Sequence, residues 1–134
     1  MRLSTKGRYS VRIMADLARH PGNAPRLIRE IADSQQISEK YVGRLLLELQ
    51  KAGLVASLRG VKGGYRLTKP AADISLLDIV EAAEGRLALV ECVFNPAFCA
   101  KTETCPACPV WKSLSDKMRA DFAAVRLDAL ANKG

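Results

Sequence analysis

Apolar side chains recur at helical spacing over roughly Lys6 to Arg19, where Val11, Met14, Leu17 and Ala18 stand beside Arg8, Arg12 and Arg19. Pro21-Gly22-Asn23 stops this first predicted helix. A short second helix follows from about Leu27 to Ser34, with Leu27, Ile28, Ile31 and Ala32 on its apolar side. Ser38 is then placed to cap a third, with Glu39 in its first turn and Val42, Leu45, Leu46 and Leu49 inward as far as Lys51. Ala52-Gly53 ends it. The period next changes from helical to alternating: Leu54 to Leu58 and Tyr65 to Thr68 read as two short strands around Arg59-Gly60-Val61-Lys62-Gly63-Gly64. Pro70 closes this unit.

Beyond it, Ser75 is a second candidate cap, for an apolar helix from Leu76 to Ala83 that Gly85 terminates. A loop rich in Cys, Pro and Thr intervenes before a last predicted helix from about Val110 to Asn132. Trp111, Leu114, Met118, Phe122, Val125 and Leu130 form one stripe along it. So small a domain offers little surface to cover such a stripe, which points to pairing with a second chain; the plainer possibility is packing back onto its own core. The expected class is mainly α with a small β-hairpin. It divides into a winged helix-turn-helix over residues 1–70 and dimerisation helices with a cysteine loop (residues 92–108) over residues 71–134.

Charge supports that division. The 134 residues carry a formal net charge of +7. Residues 1–70 hold 14 basic and 5 acidic side chains, whereas residues 71–134 hold 7 and 9. A basic first half suits a polyanion, and three helices followed by a basic hairpin is the arrangement in which the third helix enters a DNA major groove. Ser38, Lys40, Tyr41 and Arg44 on that helix and Arg59, Gly60 and Lys62 on the wing are the expected contacts. The wing glycines allow close approach of backbone to phosphate or minor groove, and its cations supply attraction. For Arg8, Arg12 and Arg19 the alternative is a merely solvated face, and for His20 it is a cation at a helix end. Tyr41 equally suits a phosphate contact or packing at the elbow of the motif.

The longest stretch without Asp, Glu, Lys or Arg, Cys92 to Ala100, is nine residues, about half of a spanning helix. Residues 1–8 lack the apolar core of a signal peptide, so the expectation is a cytoplasmic protein with no membrane partner. No Ser/His/Asp set, Walker-type loop or paired carboxylates occur at usable spacing, and residues 60–64 are not followed by a helix as a dinucleotide fingerprint requires.

Cys92, Cys99, Cys105 and Cys108 fall within seventeen residues. Four close thiols in a cytosolic chain suit a metal or cluster site. Four soft sulfur ligands serve either an iron-sulfur cluster or zinc. Structural zinc favours paired knuckles, and here only Cys105-Pro106-Ala107-Cys108 is knuckle-like, which favours the cluster. A thiol-disulfide pair at Cys105 and Cys108, or a zinc-stabilised interaction module, are the competing functions. The βαβ context of thioredoxin-like pairs is absent from the pattern.

Residues 1–9 (MRLSTKGRY), the wing Arg59-Gly60-Val61-Lys62-Gly63-Gly64-Tyr65-Arg66-Leu67, and Leu76-Leu77-Asp78-Ile79-Val80-Glu81-Ala82 through Glu84-Gly85 resemble the iron-sulfur cluster regulators, bacterial winged-helix transcription regulators of the IscR and NsrR type. The resemblance covers nearly the whole chain. It implies a homodimer in which a long helix crosses to the partner, a pseudo-palindromic operator, and one cluster per subunit, 2Fe-2S in preference to 4Fe-4S. The family's three cysteines fall on Cys92, Cys99 and Cys105. Cys108 stands where one branch has a histidine, and the loop carries one extra residue between its first two cysteines. Arg8 occupies the position from which another branch supplies an acidic ligand, which leaves Cys108 as the fourth ligand. Gly43 replaces a recognition-helix glutamate.

Overall fold

The computed structural model describes residues 2–61 and 63–132. Among the described residues, six α-helices and one hairpin make the fold: α1 (Thr5–Arg19), α2 (Ile28–Gln35), α3 (Glu39–Lys51), β1 (Val55–Leu58), β2 (Gly64–Leu67), α4 (Leu76–Glu84), α5 (Cys108–Ala124) and α6 (Leu127–Ala131). Both expected caps are in place. Ser38 Oγ accepts from the Tyr41 amide at 3.2 Å, and Ser75 and Asp78 form a reciprocal capping box at the start of α4. Between α2 and α3, Gln36 adopts a left-handed conformation (φ 56°, ψ 47°), and Ile37 turns inward. This tight turn sets the two helices at the angle of a helix-turn-helix.

One core holds the molecule together. Ile13, Met14 and Leu17 of α1 pack with Ile31, Val42, Leu45, Leu46 and Leu49 of α2 and α3, and the same cluster takes in Ile74, Ile79 and Leu127. Met14, Leu17 and the four inward residues of α3 fall where the period put them; Val11, Ala18 and Ile28 are half-buried at the margin.

The hairpin pairs Val55 with Leu67 through Leu58 with Gly64, antiparallel. It gains a third line of bonds that the sequence pattern does not announce. Arg26 exchanges backbone hydrogen bonds with Tyr65, both 2.8 Å, and the Asn23 side-chain amide binds the Leu67 backbone in both directions at 2.9 and 3.1 Å. Gly64 makes this possible: its φ is +133°, and a Cβ there would overlap the Arg26 carbonyl.

The last helix departs from expectation. Instead of one helix from Val110 to Asn132, the chain breaks at Val125 and Arg126, where Leu76 N donates to Val125 O at 2.8 Å and Leu127 N to Ile74 O at 2.9 Å. This strand-like bridge of Arg126 to Ser75 competes for the backbone groups that a continuous helix would use. The chain then folds back as α6 onto α1, burying Leu127 and Ala131, and Arg19 Nε caps the Ala131 carbonyl at 3.0 Å. Leu130, expected in the apolar stripe, is only half-buried, while Trp111 and Leu114 at the other end are exposed.

Candidate functional site

Two regions carry the chemistry. On the first, Ser38, Lys40, Tyr41 and Arg44 line one surface depression of about 230 Å³ at the start of α3, so the four helix residues expected at a DNA interface stand together. Tyr41 serves also as packing: its ring meets Tyr9 of α1 edge-on, with centroids 6.0 Å apart. The guanidinium groups of Arg8 and Arg12 lie 5.8 and 5.0 Å from the Tyr9 ring, and Arg12 also donates to the Gln35 carbonyl. These two arginines are therefore tied to the helix-turn-helix. On the wing, Arg59 and Gly60 are exposed, and Gly60 has φ +104° at the turn closed by Gly63 N donating to Gly60 O. Lys62 lies outside the described residues.

Behind this surface is a network that the sequence reading missed. Asp16 is buried on α1 and accepts from Arg26 Nε and Gln35 Nε2, each at 3.2 Å. Burial pushes its carboxyl pKa up, but hydrogen bonds from Ser34, Gln35 and Arg26 outweigh burial and hold it below the ordinary aspartate value. The available signal was an acid placed among Ile13, Met14 and Leu17 on the inward face of a helix. His20 caps α1, with Nδ1 2.8 Å from the Asp16 carbonyl, in keeping with a helix-end role.

The second region is the thiol loop. Glu81 of α4 organises its approach: Arg119 of α5 binds the carboxylate through Nε and Nη2, both at 3.1 Å, and Leu87 N donates to Oε2 at 2.8 Å. Buried Ser115 accepts from Leu89 N at 3.0 Å. This stitching carries the chain along α5 to Cys92. Cys108 opens α5, with Pro109 in the first turn, where the missing amide costs nothing. Cys108 Sγ donates to Cys92 Sγ at 3.7 Å, so its thiol partner is Cys92 rather than Cys105. Burial and the neighbouring Cys108 push the Cys92 thiol above its ordinary pKa.

All four thiols are free, and Cys99 is exposed, its carbonyl bonded by Thr102 Oγ1 at 2.8 Å. Among the described residues no group of three or more His, Cys, Asp or Glu converges on one point. The donor chemistry fits a soft metal or cluster: four thiols on one short segment, two of them already in contact. The other two stand on a largely exposed stretch with few bonds to the body. Around the loop, Phe94, Phe98, Val110, Trp111 and Leu114 leave apolar surface exposed.

Comparison with known proteins agrees with this architecture. The chain is 34% identical over 132 residues to the HTH-type transcriptional regulator IscR of Photorhabdus laumondii, covering 98% of this chain and 80% of that protein. CymR, the global cysteine regulator of B. subtilis, superposes with a TM-score of 0.79 at 34% identity, covering 100% of this chain and 98% of that one. T. potens IscR superposes at 0.74 and 34% identity, covering 100% and 89%. The profile of the family named Rrf2, described as iron-dependent transcriptional regulator, matches residues 3–133, and with this fold and these relatives the chain belongs to the Rrf2 family of transcriptional regulators.

Proposed function

We propose that the protein is a cytoplasmic, homodimeric, sequence-specific regulator that binds double-stranded DNA through residues 1–70 and senses iron-sulfur status, oxidants or nitric oxide through residues 71–134. The observation that carries the DNA reading is the surface group of exposed Ser38, Lys40 and Arg44 with half-buried Tyr41 at the start of a helix seated on α2. Paired α3 helices would enter successive major grooves of a pseudo-palindromic operator, with Arg59, Gly60 and Lys62 on the flanking minor grooves. The exposed apolar residues of α5 and the loop supply surface for a second copy.

Cys92, Cys99, Cys105 and Cys108 are the ligands we assign to a cluster, 2Fe-2S in preference to 4Fe-4S, with zinc as the alternative. When bound, such a group would supply a link that iron shortage, oxidants or nitric oxide can break. The chain's own residues then connect the loop to DNA. Cys92 and Cys108 tie the segment after α4 to the first turn of α5, and Glu81 and Arg119 tie α5 to α4. Glu84 at the end of α4 accepts from Ser4 N at 2.7 Å, at the start of α1, and Tyr9 of α1 packs on Tyr41 of α3. Anaerobic purification followed by iron, sulfide and visible absorption measurement tests the reading. Iron and sulfide with a coloured spectrum support it; colourless protein with stoichiometric zinc after attempted reconstitution overturns the cluster.

A further inference from the structure

The outward face of α3 breaks two local rules at once. Val42, Leu45, Leu46 and Leu49 are buried, as an amphipathic helix requires. Leu47 is 53% exposed, and α3 bears no other exposed large hydrophobic among the described residues. At about 100° per residue it lies only about 20° from Lys40 and 60° from Arg44, in the middle of the polar face. One turn earlier on that face is Gly43. A Cβ there would meet only Ile28 Cδ1, at an ordinary 3.6 Å, so no clash excludes a side chain that would favour the helix more. Departures from local preference that the packing does not require concentrate at functional surfaces.

Both departures have the same physical reading. With Lys51 paired to Glu48 at 3.5 Å, the cations that flank Leu47 on this face are Lys40 and Arg44, and a face so flanked suits a polyanion. A leucine can neither bind phosphate nor donate to a base edge, and the one apolar group that a base presents in the major groove is the thymine 5-methyl. Resting on the DNA-binding reading above, we propose that Leu47 is a specificity-determining residue that packs against thymine 5-methyl groups, while Gly43 lets the helix seat closely enough for that contact.

Deoxyuridine, which lacks only this methyl, tests the contact. The 134-residue chain selects duplexes from a random pool, and each thymine of an enriched duplex is then replaced by deoxyuridine, one at a time, with affinity read by fluorescence anisotropy. At one or more positions in each half-site the wild type should lose about fourfold in affinity, the value of one buried methyl. Leu47→Ala should lose a similar amount on the thymine duplex and show no further loss on the deoxyuridine duplex, whereas Leu47→Met keeps the discrimination. Equal affinity for both duplexes at every position, or an equal loss in wild type and Leu47→Ala, overturns the inference. So does a Leu47→Ala protein that changes oligomeric state while binding DNA unaltered, because the face would then contact protein. A pool that yields no enrichment overturns the DNA reading and this inference with it; enrichment without methyl discrimination overturns this inference alone.

Discussion

Asp16 and Arg26 form a buried ion pair, with Arg26 Nε 3.2 Å from Asp16 Oδ1 and only 2% of the aspartate side chain exposed. Arg26 is also the residue whose backbone pairs with Tyr65 of the wing. One carboxylate on α1 therefore fixes the segment on which the hairpin leans. Replacing Arg26 with Met leaves Asp16 charged and buried without its cation, and should cost about 3 kcal/mol of folding stability. Denaturant unfolding reads this; a loss below about 1 kcal/mol would show that Gln35 and Ser34 suffice.

Acid sensitivity follows from the same carboxyl. Its folded pKa lies below the ordinary value of 3.8, so its stabilising contribution is present above that value and is lost as pH falls through the lower, folded one. The groups facing it are Arg26, Gln35, Ser34 and His20. Between about pH 5 and pH 2 the denaturation midpoint of wild type should fall more steeply than that of Asp16→Asn. Parallel curves would assign acid sensitivity elsewhere.

Gly64→Ala should separate the wing from its support. The new methyl overlaps the Arg26 carbonyl, and φ +133° is strained for any L side chain. The expected loss is on the order of 2 kcal/mol or more, with faster amide exchange at Tyr65 than at Leu45 of the core.

At Gly43 the prediction has the opposite sign. With only an ordinary contact awaiting its methyl, Gly43→Ala should raise stability by up to about 1 kcal/mol, seen as a higher melting temperature. DNA affinity should fall in the same variant. A gain in both would show that close seating of α3 is unnecessary.

Arg59→Ala should weaken DNA binding on every sequence tested and reduce the slope of log affinity against log salt by about 1, as expected for one lost phosphate contact. An unchanged slope would place Arg59 away from the DNA backbone.

Leu127→Ala probes the docking of α6. The side chain is fully buried in the core shared with Ile13 and Ile74, so truncation should cost about 3 kcal/mol. A surface-like cost would mean that α6 is only loosely held.

Local chemistry made much of the fold readable. Ser38, Ser75 and Gly85 mark helix ends through short-range hydrogen bonds and backbone preference, and each acts as its type suggests. The break at Val125 and Arg126 was not readable, because no Gly or Pro stands there and the apolar stripe runs through it; the competing bond comes from Ser75 and its neighbours, fifty residues away. Arg26 and Asn23 escaped notice for a similar reason: a bridge one residue long has no period. Charge, spacing and resemblance point to seven positions expected to contact DNA and to four thiols, and the start of α3 brings four of the former together. Spacing could not foretell which thiols meet. Cys92 and Cys108, sixteen positions apart, do so because Ser115 and Arg119 hold the segment that leads into Cys92, at Leu89 and Glu81, against α5.

The return of α6 to α1 also orders events during synthesis. Arg19 and the Ala131 carbonyl that it caps are 112 positions apart, and Leu127 fills the same core as residues of the first helix. A nascent chain that has exposed only its first seventy residues still lacks one wall of the core around α1. Closing so long a loop brings its reward late. The helix-turn-helix should therefore reach full stability only after the thiol loop has left the ribosome, and a chain cut short before residue 127 should be more open to proteolysis than the whole chain.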